Sequence, residues 1–218
     1  MQFRLLEGVP EADRRRLLAI ARRRRFARGE VVFHRDDPAD SLHLVVKGRF
    51  AVLMVTPLGQ TATIAVCGAG DSFGETALLA ARAKRTATVR ALEEAETFAV
   101  DDVAFAELRE GFPGIDRILF AFLSAELRRT NELLVEALYL PVDRRLRRRL
   151  LELIRIYGSE QDAEVTIPLT QTELAELAGT SRATANQILR DEEERGAVRL
   201  ERGRIVTLDR AGLARRAR

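Results

Sequence analysis

The sequence predicts an α+β protein in which an N-terminal β jelly roll is followed by a long helix and a C-terminal winged helix-turn-helix. Three observations support this fold class. Between Phe26 and Val100, short β-rich runs alternate with Gly and Pro turns, as in small barrels and jelly rolls. A long helical pattern then reaches Tyr139. After a break, two short helices joined at Gly179 precede a predicted hairpin.

The composition is that of an ordinary globular protein, with 46% hydrophobic and 32% charged residues. Cys67 is the single cysteine, which excludes an internal disulfide and a thiolate cluster for zinc or iron–sulfur. No apolar signal peptide and no run near about 18 apolar residues is present, so we expect a cytoplasmic protein with no membrane segment. The net charge of +3 lies in residues 141–218, which hold 16 of the 36 basic residues and 13 of the 33 acidic ones.

The N-terminal elements follow from local patterns. A Pro-Glu start and spaced apolar residues predict a helix over residues 10–24, and we interpret the arginines at 22–25 as its solvated, cationic end. His34 and His43 lie on predicted strands without a Cys or second His at ligand spacing. We therefore expect structural or exposed histidines rather than metal or haem ligands. The predicted strands are VVF, SLHLVV, FAVLMV, TATIAV, ATVRAL and TFAV.

A long helix with a narrow apolar stripe follows the strands. Asp101 is predicted to cap a helix reaching Arg109, and Gly111 opens a helical pattern that continues to Tyr139. Apolar positions three and four residues apart form a stripe close to a coiled-coil seam, which predicts a parallel two-fold dimer. The stripe comprises Leu119, Leu123, Leu127, Thr130, Leu134 and Ala137.

The long helix is predicted to end at Pro141, because proline lacks an N–H and disfavours helical geometry in the preceding residue. We place a domain boundary there. A new helix over residues 143–157 carries apolar residues on one face. Its arginine cluster at 144–149 either contacts DNA phosphates or forms a solvated face, and the sequence favours neither.

Residues 71–91 are predicted to form a pocket for a cyclic phosphate. Gly74 and Glu75 open a short predicted helix over residues 76–80, whose free N–H groups attract an anion. Arg85 follows with a planar fork suited to phosphate. Because the carboxylate of Glu75 would repel a phosphate, it suits a ribose hydroxyl instead.

The segment 168–195 has the local signals of a helix-turn-helix. Thr170 and Glu173 form a predicted capping box, Gly179 stands at the tight turn, and Ser181 caps the next helix. In such a motif the second helix inserts its N-terminal side chains into the DNA major groove. The following run VRLERGRIVTL predicts a hairpin, which would form the wing.

Two motifs together resemble a known family. The arrangement F-G-E followed by R-T-A-T-V-R-A resembles the phosphate-binding cassette of cyclic-nucleotide-binding domains. The pattern L-T-x-x-E-L-A-x-L-A-G-x-S-R-x-T closely resembles the signature of the Crp/Fnr family of bacterial transcription regulators, in its cAMP receptor branch. The resemblance covers nearly the whole chain. It implies a cyclic-nucleotide-binding β-roll domain at residues 1–112, a dimerisation helix and hinge at 113–140, and a winged helix-turn-helix domain at 141–218.

The resemblance implies cAMP as the allosteric ligand. The cassette would hold the ribose phosphate, and Thr130 and Asn131 would read the base from the dimer seam, one from each subunit. A polar seam residue that only fixes the dimer register is the other interpretation. Thr86, a hydroxyl directly after the arginine, leaves cGMP open as an alternative ligand. The implied contacts are Gly74, Glu75, Thr76, Ala77, Arg85, Thr86, Thr130 and Asn131.

For DNA, the resemblance implies a homodimer on a palindromic operator, with RNA polymerase contacts from the loops at 56–60 and 159–164. Arg182 lies at the position that reads guanine in the family, where its guanidinium can donate two hydrogen bonds to O6 and N7 of the base. Ala183 and Gln187 replace a glutamate and an arginine of the family pattern, so we expect an altered or relaxed sequence preference. The implied DNA contacts are Thr170, Gln171, Ser181, Arg182, Ala183, Thr184 and Gln187.

Other functions are less well supported by the residues. A constitutive DNA-binding regulator with a vestigial pocket would bind DNA without nucleotide. We expect no enzyme, because no Ser/His/Asp or Cys/His constellation and no metal-ligand cluster stands out in the sequence. We also expect no haem or iron–sulfur sensor, because the required cysteines and a convincing axial ligand are missing.

Overall fold

The structure of the protein is a computed structural model that describes residues 2–56, 59–75, 83–159 and 161–218. The chain forms two compact units. The first comprises Met1–Met54 with Ala65–Arg129, and the second comprises Val55–Ile64 with Thr130–Arg218. Within the described ranges, no helix is long and apolar enough to cross a membrane.

The strands of the N-terminal half form two four-stranded sheets. They are β1 (Arg22–Phe26), β2 (Val31–Phe33), β3 (Ser41–Lys47), β4 (Phe50–Val55), β5 (Thr61–Cys67), β6 (Ser72–Phe73), β7 (Thr88–Ala91) and β8 (Ala95–Asp101). The strand orders are β1-β8-β3-β6 and β2-β7-β4-β5. All six predicted runs form strands, whereas β1 and β6 were not predicted. The α+β class, with a β domain ahead of a helix-turn-helix domain, is confirmed.

The arginine run at residues 22–25 is a strand, so the predicted helix over residues 10–24 was wrong at its end. Helix α1 (Glu11–Ile20) stops before the run, and β1 pairs antiparallel with β8 along its whole length. The side chain of Arg23 forms an ion pair with Glu96 of β8. Pairing with a neighbouring strand therefore decides the structure of a polar run that has no apolar periodicity of its own.

Two helices follow the strands at the predicted places. Helix α2 (Asp102–Gly111) begins after Asp101, whose Oδ1 accepts a hydrogen bond from the N–H of Ala104 at 2.9 Å. This cap satisfies one of the N–H groups left free at the helix start. Helix α3 (Ile115–Tyr139) covers the long helical pattern.

The apolar stripe of α3 differs from the prediction at its beginning. Leu119 is buried in the core that its own unit forms with α1 and α2, so it is not available to a second chain. Further along the helix, Leu127 and Leu134 are exposed. A seam on this helix can therefore begin only after its first turns.

Strand β3 separates two apolar clusters because its side chains alternate between the two faces of the sheet. Leu42 and Leu44 pack with α1, α2 and the start of α3. Val45 packs on the opposite face in a cluster between the two sheets, together with Phe50 and Phe73. This inter-sheet face also receives the polar residues of the strand.

The second unit contains a three-stranded sheet and the helix-turn-helix. Its elements after α3 are α4 (Val142–Tyr157), β9 (Val165–Ile167), α5 (Gln171–Ala178), α6 (Arg182–Glu194), β10 (Val198–Glu201), β11 (Arg204–Thr207) and α7 (Arg210–Arg216). The strand order is β10-β11-β9. Pro141 precedes the first turn of α4, as the predicted break requires. The α5–α6 pair and the β10–β11 hairpin confirm the helix-turn-helix and its wing.

The arginines at residues 144–149 bind largely within the protein. Nη1 of Arg145 donates to the carbonyl oxygen of Leu140 at 3.0 Å, next to the break between α3 and α4. Nη1 of Arg148 donates to Oε1 of Glu136 on α3 at 2.6 Å. Much of this cluster therefore holds α4 to its neighbours instead of forming a free, solvated face.

Candidate nucleotide pocket and DNA-reading helix

The predicted phosphate pocket contains a close approach that requires glycine. Gly74 has a φ of +84°, and a Cβ at this position would lie 2.7 Å from Nη1 of Arg85 and 3.0 Å from the carbonyl oxygen of Ser41. A side chain would therefore collide with both groups, in a backbone conformation that glycine adopts most readily. Gly74 and Arg85 are brought together here. Thr76 and Ala77, two further predicted contacts, lie outside the described residues.

Arg85 is the buried centre of this pocket, with only 2% of its surface exposed. Its Nη1 donates to the carbonyl oxygens of Ser41 at 2.7 Å and Gly74 at 3.4 Å. Its Nη2 donates to Oδ1 of Asp40 at 2.8 Å and to Oγ of Ser41 at 3.2 Å. The guanidinium carbon lies 3.9 Å from the centroid of the Phe33 ring, in a cation–π contact. These contacts hold the guanidinium in one orientation.

The Nε atom of Arg85 is buried and has no hydrogen-bond partner among the residues that the structure describes. An unpaired buried donor is unfavourable, and a charged guanidinium donor especially so. A phosphate oxygen is the acceptor that best matches this group. The arginine and the glycine beside it therefore fit a cyclic phosphate.

Glu75 lies next to this arginine and is partly buried. Burial raises the pKa of its carboxyl group, and the negative charge of Glu126 on α3 acts in the same direction. A hydroxyl donor would stabilise the charged form of such a carboxylate. The surroundings of Glu75 therefore suit a ribose hydroxyl and disfavour a phosphate.

The remaining predicted nucleotide contacts are exposed. Thr86 directly follows Arg85. Thr130 and Asn131 lie on α3, about one helical turn beyond Glu126, and they belong to the second compact unit. All three carry polar groups that can donate and accept hydrogen bonds.

The sequence analysis missed Asp40 and Ser41 beside Arg85, and it named His43 only as a structural or exposed histidine. The alternating pattern of SLHLVV is the signal that could have indicated Ser41 and the place of His43 beside Arg85. Ser41 and His43 are two residues apart and share the face of β3 that turns toward the inter-sheet core. Polar side chains on such a face need polar partners, which indicates a buried network.

Both helices of the helix-turn-helix have the predicted caps. Oγ1 of Thr170 accepts from the N–H of Glu173 at 3.2 Å, and Oε2 of Glu173 accepts from the N–H of Thr170 at 2.7 Å. Gly179 ends α5 with a φ of 61°, in the left-handed region. Oγ of Ser181 accepts from the N–H of Thr184 at 3.1 Å and so begins α6. These caps fix the ends of both helices.

The predicted DNA contacts lie at the start of α5 and along α6. Arg182 and Ala183 are exposed in the first turn of α6, and Gln171 is partly buried at the start of α5. Gln187 is exposed, and its Nε2 donates to Oδ1 of Asp191 at 3.0 Å. The first turn of α6 therefore exposes the guanidinium of Arg182 beside the small side chain of Ala183.

Glu192 holds α6 against α4 and α7. Its side chain is 0% exposed, accepts from Nε of Arg147 at 2.9 Å and from Nη2 of Arg216 at 2.5 Å. Burial raises the pKa of Glu192, but the hydrogen bonds from Arg216 and Arg147 outweigh it and place the pKa below its usual range. This buried network joins three helices of the second unit.

Comparison with known proteins identifies both halves of the chain. The family model described as "Cyclic nucleotide-binding domain" matches residues 23–111, and the one described as "Crp-like helix-turn-helix domain" matches residues 144–216. A CRP-like cAMP-activated global transcriptional regulator of Mycobacterium tuberculosis is 33% identical over 195 residues, which cover 88% of this chain and 87% of the relative. This chain belongs to the Crp/Fnr family of transcription regulators.

Further relatives agree with this family assignment. The cyclic AMP receptor protein of Thermus thermophilus is 30% identical over 207 residues, which cover 95% of this chain and 93% of the relative. The crystal structure of the Thermus thermophilus catabolite activator protein has a TM-score of 0.57 at 29% identity and covers 98% of both chains. The c-di-GMP responsive global regulator CLP of Xanthomonas campestris has a TM-score of 0.78 and covers 92% of this chain and 100% of that chain. At 22% identity, this last likeness shows the fold alone.

The Crp/Fnr regulator described here is therefore a DNA-binding transcription regulator with a cyclic-nucleotide-binding domain. It is not an enzyme, because its relatives are transcription regulators. Within the part of the chain that the structure describes, no group of three or more His, Cys, Asp or Glu side chains is arranged to hold a metal ion.

Proposed function

We propose that this Crp/Fnr regulator is a homodimer gated by a cyclic purine nucleotide, with cAMP as the ligand. The observation that carries the proposal is the buried Nε of Arg85, which has no acceptor among the described residues and lies beside the close approach at Gly74. A cyclic phosphate would supply the missing acceptor oxygen. Glu75 would accept a hydrogen bond from a ribose hydroxyl. Two relatives named for cAMP support this nucleotide.

Thr130 and Asn131 are the proposed readers of the base. Both are exposed on α3, and a hydroxyl with an amide can match the donor and acceptor pattern of adenine. Thr86 supports cGMP as a second candidate, because its exposed hydroxyl directly follows Arg85 and could accept from the amino group of guanine. Thr76 and Ala77 remain proposed contacts to the phosphate.

The dimer is proposed from the second half of α3. Leu127, Leu134, Leu138 and Tyr139 are all exposed there. Large apolar side chains concentrated on one long helix are typical of a surface that is covered by a partner helix. If two copies of α3 pair, the base readers of both subunits come to one seam. Nucleotide binding and helix pairing would then be coupled.

The nucleotide would act by favouring one arrangement of α3 and of the segment that follows Pro141. A ligand can shift such an equilibrium only through its tighter binding to one arrangement. In the active form, the two copies of α6 would lie about 34 Å apart, one turn of DNA. Arg182 would read a guanine of a palindromic operator.

The other predicted DNA contacts complete this proposal. Thr170, Gln171, Ser181 and Thr184 carry hydroxyl or amide groups suited to phosphates or base edges. Ala183 and Gln187 would alter or relax the sequence preference. Such a regulator works at bacterial promoters in the cytoplasm, where the loops at 56–60 and 159–164 would contact RNA polymerase.

Calorimetric titration with cAMP and with cGMP tests the proposal, followed by DNA binding at fixed salt with each nucleotide. We expect cAMP to bind more tightly than cGMP and to raise the affinity for DNA. Arg85→Ala should abolish nucleotide binding, whereas Arg109→Ala, an arginine paired with Asp116 outside the pocket, should not. DNA affinity that no nucleotide changes would instead identify a constitutive regulator with a vestigial pocket.

A further inference from the structure

His43 is buried in an aromatic enclosure between the two sheets, with 2% of its surface exposed. Its ring stacks on Phe73 at a centroid distance of 5.0 Å and an interplanar angle of 9°. Phe26 and Phe33 lie at 6.3 and 6.1 Å. Phe33 also carries the guanidinium of Arg85 on its ring. The histidine and the arginine are therefore packed against the same aromatic group.

Both nitrogens of His43 have polar neighbours. Nδ1 lies 3.0 Å from Oγ1 of Thr97 on β8, and Nε2 lies 3.3 Å from Oγ of Ser41 on β3. The same Ser41 Oγ donates to Oδ1 of Asp40 at 2.9 Å and accepts from Nη2 of Arg85 at 3.2 Å. The imidazole thus reaches Arg85 through one hydroxyl group.

The direction of these hydrogen bonds follows from the number of protons available. The one proton of Ser41 is given to the acceptor-only carboxylate of Asp40, so Ser41 must accept from both Arg85 and His43. His43 therefore carries its proton on Nε2, and Nδ1 accepts from the hydroxyl of Thr97. Each hydrogen bond in this series is then donated in the same direction, from Thr97 to His43, from His43 to Ser41 and from Ser41 to Asp40. The serine oxygen has no free lone pair with which to shift toward another donor.

The charge state of His43 agrees with this arrangement. Burial lowers the pKa of His43 to about 3, and the positive charges of Arg85 and Arg24 act in the same direction. The ring is therefore neutral at physiological pH, with one donor and one acceptor nitrogen. A charged imidazole would repel the neighbouring guanidinium.

We infer that His43 is a positioning residue for the nucleotide phosphate, acting through Ser41 to hold the guanidinium of Arg85 in its binding orientation. The inference rests on the proposed nucleotide function. His43 itself touches no part of the ligand. Its Nε2 proton takes the acceptor site of the Ser41 hydroxyl that Arg85 leaves free, and so holds this hydroxyl in place. The hydroxyl together with the Ser41 carbonyl holds both Nη groups of Arg85. The side of the arginine that carries Nε is left for the phosphate.

The test is a double-mutant cycle on nucleotide affinity. His43→Phe keeps an aromatic ring in the enclosure but removes both hydrogen bonds, and it should weaken cAMP and cGMP binding alike by about 3- to 10-fold. His43→Gln, which keeps a donor and an acceptor, should recover part of the loss. Because the histidine acts through the serine, Ser41→Ala combined with His43→Phe should lose little more affinity than Ser41→Ala alone.

Val45→Ala is the matched control. Val45 is buried in the same inter-sheet cluster but takes no part in the hydrogen bonds of Arg85. This variant should melt at a lower temperature and keep its nucleotide affinity. Equal affinity losses in Val45→Ala and His43→Phe, or additive losses in the double mutant, would overturn the assignment. So would His43→Phe binding as tightly as the wild type.

A measurement without nucleotide separates this inference from the proposed function. The exchange of the Nε proton of Arg85 with water can be followed by NMR in the free protein. His43→Phe should accelerate this exchange, and Val45→Ala should not. If the wild type bound no cyclic nucleotide, the proposed function would fail. The exchange rate would still show whether His43 holds the guanidinium of Arg85 in place. An unchanged rate would refute the link.

Discussion

Replacing Asp40 by asparagine should tighten nucleotide binding, because the Asp40 carboxylate occupies the arginine that we assign to the phosphate. Nη2 of Arg85 donates to Oδ1 of Asp40 at 2.8 Å. The two partners differ in exposure, since the side chain of Asp40 is 82% exposed and that of Arg85 is 2% exposed. A bound phosphate must therefore share or displace an anion that can swing into solvent. Asp40→Asn keeps the size of the side chain and removes its charge.

The magnitude follows from the exposure of the pair. A hydrogen bond to a charged group contributes about 1.5–3 kcal/mol, whereas an exposed ion pair contributes about 0–1 kcal/mol. Because only the arginine is buried, we expect an intermediate gain of about 1 kcal/mol, or about 5-fold in the dissociation constant. Burial raises the pKa of Asp40, but the hydrogen bond from Ser41 and the charge of Arg85 outweigh it, so the net pKa lies below its usual range. The carboxylate is therefore ionised and competes throughout the neutral pH range.

The assay is calorimetric titration with cAMP at about neutral pH and about 0.15 M salt, where distant surface charges are largely screened. Asp36→Asn is the matched control, since it removes one charge from the same loop. Asp36 has a φ of 70°, which asparagine tolerates, and its ion pair is with Arg35 instead of Arg85. Weaker binding by Asp40→Asn, or the same small change in both variants, would refute the competition. The Asp40 carboxylate would then either help to orient Arg85 or have no effect on nucleotide binding.

Three further predictions concern DNA reading, stability and assembly. Arg182→Ala should weaken binding to a selected operator by about 1–3 kcal/mol, and a binding-site selection should show a weaker sequence preference at one base pair. An equal loss of affinity on random DNA would instead identify Arg182 as a phosphate contact. Glu192→Ala should lower the free energy of unfolding by about 3–5 kcal/mol in urea titrations, because it leaves buried Arg147 without that partner. Because the pKa of Glu192 is lowered in the folded state, its contribution to the free energy of unfolding is fully present above its unfolded pKa of about 4.3. This contribution is lost as the pH falls through the folded pKa. Parallel losses of stability in the wild type and in Glu192→Ala on acidification would contradict this prediction. Leu127→Glu should give a monomer by light scattering, whereas Val103→Glu, an exposed apolar position on α2, should leave the dimer intact.

Much of the fold could be predicted because its signals are local. Thr170, Gly179 and Ser181 mark helix ends through their own backbone preferences and side-chain caps, so the helix-turn-helix is visible in a short stretch of sequence. Strand β3 was likewise predicted as a short β-rich run between turn residues, and the end of α3 was predicted from the missing N–H of Pro141. Gly74 and Arg85 were predicted from a spacing that occurs within one short segment.

Other elements depend on partners that lie far away in the sequence. The arginines at 22–25 have no periodicity that selects a strand, and their pairing with β8, more than 70 residues later, makes them one. Leu119 fits a dimer stripe by spacing, but contacts with α1 and α2 bury it within its own unit. Local propensity is weak enough for tertiary contacts to override it in both cases.

The sequence by itself determined which residue types this protein offers to a cyclic phosphate and to a DNA groove, because capping, turn geometry and strand alternation act over a few residues. Only the tertiary structure decided how Arg85 is held. Asp40 and Ser41 lie more than 40 residues before it, and Thr97 lies 54 residues after His43. The pairing of β3 with β8 brings Thr97 to His43, and the antiparallel bridge between Pro38 and Lys84 brings Arg85 to Asp40 and Ser41. Burial then compels each polar atom to find a partner, and this requirement joins them into one network.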